Sequence, residues 1–128
     1  MKIIQTVEVK QILTEESKAK LLKKFEARKR SLQQECEQLR FELKRLEKAK
    51  KHSPLLLKQH FEKEINDRLE KVKLLDFQIE QLHILPLGSE LKEREIQALV
   101  EVNIGDKWEE VMAPKTIIIE DGIVKEFR

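Results

Sequence analysis

Seven basic side chains crowd one stretch of the sequence, Arg40, Lys44, Arg45, Lys48, Lys50, Lys51 and Lys58, against only Glu42 and Glu47. Clustered Lys and Arg neutralise phosphates and release counterions without reading any base, which makes this cluster the candidate nucleic-acid or anion-binding site. The same residues also suit the solvated end of a helix, where Lys48, Lys50 and Lys51 offset the negative end of its dipole. His52 and His60 stand beside the cluster. Phe41 and Phe61 are the nearby aromatics, and both fall on or beside the apolar stripes described below. Beyond these two, no aromatic interleaves with the cations as a stacking set.

Other reactive residue types do not converge. Cys36 sits on an apolar stripe, where a small core residue is expected rather than a nucleophile. His52, His60 and His83 lack metal-ligand spacing; His60 and Glu64 are one turn apart, but two ligands rarely hold an ion. The three glycines are isolated at turn signals, so no phosphate-cradling loop exists. Asp106 and Asp121 adjoin glycines, where Asp favours turns. Trp108 is expected in the core or at its edge. These residues predict a protein that is not an enzyme and carries no cofactor and no metal.

The elements that position these groups follow from periodicity. The chain has 128 residues, of which 39% are charged, 40% hydrophobic and 5% aromatic, a composition suited to long solvated helices. From Thr14 to Lys51 there is neither Gly nor Pro, and Leu22, Phe25, Leu32, Cys36, Leu39, Leu43 and Leu46 recur at helical spacing. Lys29 occupies the one seam position expected to be apolar. Thr14 caps this first helix, with Glu15 and Glu16 at the positive end of its dipole. Ser53 and Pro54 start a second helix with Leu57, Phe61, Ile65, Leu69, Val72, Leu75, Ile79 and Leu82 as its stripe. Two long helices joined by so short a link fold back antiparallel.

On either side the period changes to two. Ile3, Gln5, Val7 and Val9 read as a strand, as do Ile96, Ala98, Val100, Val102 and Ile104, with Leu99 breaking the alternation. Trp108, Val111 and Met112 form a shorter candidate strand. Lys115 to Glu120 and Ile123 to Phe127 flank Asp121-Gly122, a two-residue hairpin signal. Because a helical hairpin returns its ends to one place, the N-terminal strand joins the C-terminal ones. The expected fold class is α+β, a long antiparallel coiled-coil helical hairpin on a small antiparallel β-sheet or barrel completed by the N-terminal strand. Its parts are residues 1–13, the hairpin 14–83 with its turn near 52–53, and the β head 84–128.

The pattern Leu85-Pro86-Leu87-Gly88-Ser89-Glu90, then Val102-Asn103-Ile104-Gly105-Asp106-Lys107-Trp108, then Ile117-Ile118-Ile119-Glu120-Asp121-Gly122-Ile123-Val124 resembles the YlqD family of small bacterial proteins. With the N-terminal strand and the charged helical middle, the resemblance covers the whole chain. It implies a cytoplasmic bacterial protein, leans toward an RNA-linked role, and transfers no catalytic or binding residue.

Charge and leftover apolar surface shape the functional expectation. Over residues 15–83, 18 Lys and Arg face 13 Asp and Glu, whereas over 84–128 six face ten. No apolar run is long enough for a membrane span, and the lone Cys36 suits a reducing cytoplasm. Leu21, Leu56 and Leu74 lie off or beside the seams, and a β head of about 50 residues is small for independent stability. The expectation is a non-catalytic interaction or scaffold protein that self-associates as a homo-oligomer, with no membrane partner. The alternative is an RNA- or ribosome-associated protein that binds through the basic tip.

Overall fold

The computed structural model describes residues 1–49 and 54–128. In chain order the elements are β1 (Lys2–Ile12), α1 (Glu15–Ala49), α2 (Pro54–Ile84), β2 (Glu90–Glu101), α3 (Trp108–Met112), β3 (Lys115–Glu120) and β4 (Ile123–Phe127). The expected α+β class is what is found: two long helices and a four-stranded sheet in which the N-terminal strand takes part. The chain divides into two compact units, one made of Met1–Lys18 with Pro86–Arg128, the other of Ala19–Leu85.

In the helical unit, Lys29 meets Asp76, Leu32 packs with Val72 and Leu75, Glu35 meets Arg68, and Cys36 faces Ile65. Partner numbers fall along α2 as they rise along α1, so the helices run antiparallel. The expected turn at His52-Ser53 and the Ser53 cap lie outside the described residues; Pro54 is the first helical residue of α2, where its missing N–H costs nothing. On α1 the inward line is Leu22, Phe25, Lys29, Leu32, Cys36, Leu39, Leu43 and Leu46, all buried or half-buried, which is the stripe read from the sequence with Lys29 in its gap.

On α2 one assignment changes. Leu69 is exposed, whereas Arg68 is half-buried, and the inward line becomes Phe61, Ile65, Arg68, Val72, Leu75, Ile79 and Leu82. Its gaps alternate four and three from Phe61 onward, and Leu57, also half-buried, stands four residues before Phe61. The apolar Leu69 drew the reading one residue too far because Arg68, whose aliphatic stem packs while its head finds acids, looks like a surface residue. Each helix thus places one basic residue in the seam.

The sheet order is β2-β1-β3-β4. β1 pairs antiparallel with β2 and parallel with β3, and β3 pairs antiparallel with β4. The sheet is therefore mixed rather than antiparallel throughout. The reason is topological: β2 and β3 run oppositely, but β1 is inserted between them, and the stretch 102–114 carries the chain from one flank of β1 to the other. That stretch holds α3 where a strand was expected. Trp108, Val111 and Met112 are spaced three and four apart, which is helical rather than alternating, and Glu109 and Glu110 favour the first turn.

The sheet unit is tied at several points. Thr14 Oγ1 accepts from the N–H of Ser17 at 3.1 Å while Ser17 Oγ accepts from the N–H of Thr14 at 2.8 Å, a reciprocal cap at the start of α1. The N–H of Gly88, at φ 94°, donates to the carbonyl of Leu13 at 2.7 Å, and the N–H of Leu13 donates to Ser89 at 2.8 Å. Val7, Val9, Leu13 and Ile118 are buried. Ile117 and Ile119 are half-buried, so both faces of β3 have cover.

The two edge strands are also joined. Arg128 grips Glu90 with both terminal nitrogens, at 2.6 and 2.9 Å. Three strand spacings together with four residues of offset along β1 would separate these positions by about 19 Å on a flat sheet, beyond the reach of the two side chains, so the sheet curls to bring its edges together.

Candidate interaction surfaces

Arg40, Lys44, Arg45 and Lys48 are exposed on the C-terminal part of α1, and Lys58 is exposed near the start of α2. Two of them are internally matched: Arg45 lies 2.8 Å from Glu42, and Lys58 lies 4.0 Å from Glu62. Arg40, Lys44 and Lys48 are spaced four apart on one face of α1, and among the described residues none of the three is in an ion pair. Lys50, Lys51 and His52 lie outside the described residues. Phe41 is 68% exposed and not part of the seam, so one aromatic ring does accompany the cations. Beside it a shallow depression is lined by Gln34, Glu37, Gln38 and Glu42, a set of amides and carboxylates rather than cations.

The remaining reactive groups have structural occupations. Cys36 is buried, and its Sγ lies 3.9 Å from the carbonyl oxygen of Ile65. The His60 ring meets Phe61 edge-on. Glu64 is held by Arg68 Nη1 at 2.9 Å, and this hydrogen bond keeps its carboxyl below the ordinary value, while Glu64 in turn raises the guanidinium of Arg68. Among the described residues no three His, Cys, Asp or Glu side chains converge as a metal site would require. In the sheet unit, the bidentate contact from Arg128 lowers the carboxyl of Glu90, and Glu95 raises the ammonium of Lys92.

Sequence reasoning missed the apolar surface of the sheet unit. Ile4 and Leu99 are cross-strand partners on β1 and β2, and each is 68% exposed. Trp108 is 64% exposed rather than core, because the five-residue α3 has no buried residue. Ile104 follows β2 in a turn and is fully exposed, and Ile123 and Phe127 on β4 are exposed as well. The available signal was Leu99, the residue that broke the alternation of its strand: an apolar side chain on the wet face opposite another, Ile4.

The model of the family described as YlqD protein matches residues 1–128. The chain belongs to the YlqD family. Its relative from Bacillus subtilis (strain 168), called Uncharacterized protein YlqD, is 49% identical over 128 residues, a match covering 100% of this chain and 98% of that protein. A crystal structure of a protein of unknown function from Synechococcus sp. WH 8102 has the same fold at 17% identity, with a TM-score of 0.83 over 100% of this chain and 94% of that one. The sequence resemblance to the YlqD family is thus confirmed along the whole chain. Among the described residues, no helix of this YlqD-family chain is long and apolar enough to cross a membrane.

Proposed function

We propose that the protein is a non-catalytic interaction scaffold that self-associates. The observation that carries this reading is the exposed cross-strand pair Ile4 and Leu99, 68% accessible on each side. Apolar side chains placed together on a wet sheet face gain by burial against another surface, at about 25 cal/mol per Å² removed from water. The free, buried Cys36 supports a cytoplasmic setting. Light scattering across a micromolar dilution series tests the reading. A mass above that of one chain, falling on dilution, supports it; a strict monomer at every concentration removes it.

A second reading has its own observation. Arg40, Lys44 and Lys48 share a helix face without carboxylate partners among the described residues, which favours RNA or the ribosome as a polyanionic partner. RNA binding that weakens steeply with salt, and is lost when Lys44, Arg45, Lys48 and Lys51 are changed to Glu, is the expected result. Equal binding by that variant excludes this face.

A further inference from the structure

Leu74 and Phe77 of α2 are 58% and 57% exposed. Three residues apart, they sit side by side on the face turned away from Val72, Leu75 and Leu82, which are buried in the seam. Gln81 and Ile84 continue the line at spacings of four and three, and Ile84 is exposed too. α2 therefore carries a second heptad line on its outer face, and its apolar members lie open to solvent.

The charges beside that line select the occupant. Lys73 and Glu80 are seven residues apart, two helical turns, and so lie along the same flank of the Leu74–Phe77 patch. Both are exposed, and among the described residues neither is in an ion pair. A flank with one cation and one anion set symmetrically about the apolar patch is complementary to itself when reversed. We infer that this outer face of α2 pairs antiparallel with the same face of a second copy of the chain, about a two-fold axis midway between Lys73 and Glu80.

In that arrangement Lys73 meets Glu80 of the partner subunit, and Glu80 meets Lys73 of the partner subunit. Leu74 then falls between Phe77 and Gln81 of the partner subunit, as a knob into a hole. A parallel pairing sets Lys73 against its own copy and Glu80 against its own, so the charges reject it. A uniformly basic or acidic partner matches only half of the flank. The inference rests on the self-association reading and adds to the Ile4–Leu99 pair a second surface, on the helical unit.

The test is sedimentation velocity on the full chain over a concentration series, with wild type, Lys73→Glu, Glu80→Lys, the double swap, and Phe77→Asp. Each single reversal turns two symmetric attractions into two repulsions and is expected to weaken association about tenfold. The double swap restores it to near the wild-type value, and Phe77→Asp weakens it at least as much as either single reversal. Circular dichroism melts confirm that every variant is folded. If wild type associates and the single reversals and Phe77→Asp leave it unchanged, this surface is overturned while self-association stands. A wild type that never associates overturns both.

Discussion

Lys29 Nζ lies 2.6 Å from Asp76 Oδ1, so the one cation in the seam of α1 is matched by an acid on α2. Six residues further along α1, Glu35 receives Arg68, the one cation in the seam of α2, at 3.0 Å. These two crossings bracket Leu32, Val72 and Leu75, the best-buried apolar cluster of the helical unit. A polar seam residue sacrifices some apolar burial and in return disfavours pairings in which it has no partner, which fixes register.

The first prediction concerns that crossing. Lys29→Glu places a carboxylate against Asp76 and is expected to cost about 1 kcal/mol in urea unfolding, since both groups are partly solvated. Adding Asp76→Lys reverses the pair and recovers most of the loss. A double-mutant cycle with no coupling between the two positions contradicts the register argument.

Leu32 is 2% exposed and packs on Val72, Leu75 and Phe25. Leu32→Ala removes buried methyl groups and leaves a void between two helices that close only partly around it. The expected cost is about 3 kcal/mol by chemical denaturation. Leu74→Ala, on the exposed face of the same unit, is expected to change monomer stability by less than about 0.5 kcal/mol. The contrast between Leu32 of α1 and Leu74 of α2 measures how far the seam, rather than the outer surface, holds the helical unit together.

How legible these features were depended on whether local pattern or distant contact decided them. The seam of α1, the start of its helix at Thr14 and the hairpin at Asp121-Gly122 were readable because spacing, capping and turn chemistry act within a few residues. Arg68 was not, because its inward position depends on Glu35 across the seam as well as Glu64 on its own helix. The parallel pairing of β1 with β3 was hidden for the same reason: insertion of a strand between two others leaves no local mark. For Trp108 the local signal existed, since its spacing to Val111 and Met112 is helical, but so short a segment carries both periods. The basic residues of the candidate site were visible by composition; which of them stay free of carboxylates was not.

The edge-joining contact between Glu90 and Arg128 predicts an acid sensitivity of the sheet unit. Arg128 lowers the carboxyl of Glu90 below its ordinary value of 4.5. The unfolded chain therefore binds that proton more readily, so the contribution is complete above pH 4.5 and fades as pH falls through the lower folded value. Glu90→Gln is expected to lower the melting temperature at neutral pH and to flatten its decline in acid. An unchanged acid profile contradicts the linkage. Arg128→Lys, which loses the two-pronged grip, serves as the intermediate case.

The hairpin tip supplies the last prediction, because two effects there have opposite signs. Asp121 and Gly122 sit at φ 48° and 79°, as a two-residue turn between β3 and β4 requires. Gly122→Ala forces a Cβ into that conformation and is expected to cost about 1 kcal/mol. At Asp121 the left-handed backbone is itself unfavourable, so Gly relieves strain, yet Asp121 Oδ1 also accepts a hydrogen bond from Thr14 Oγ1 at 2.6 Å. That bond links the hairpin tip to the cap of α1, and losing it weakens the start of the helix. Asp121→Asn keeps both the backbone preference and an acceptor oxygen, whereas Asp121→Ala loses both. The expected order of stability is Asp, then Asn within about 0.5 kcal/mol, with Ala lowest by about 1–2 kcal/mol. Thermal melts of the three proteins in a Thr14→Val background, where the donor is gone, should bring Asn and Asp together and leave Ala behind by the turn contribution alone.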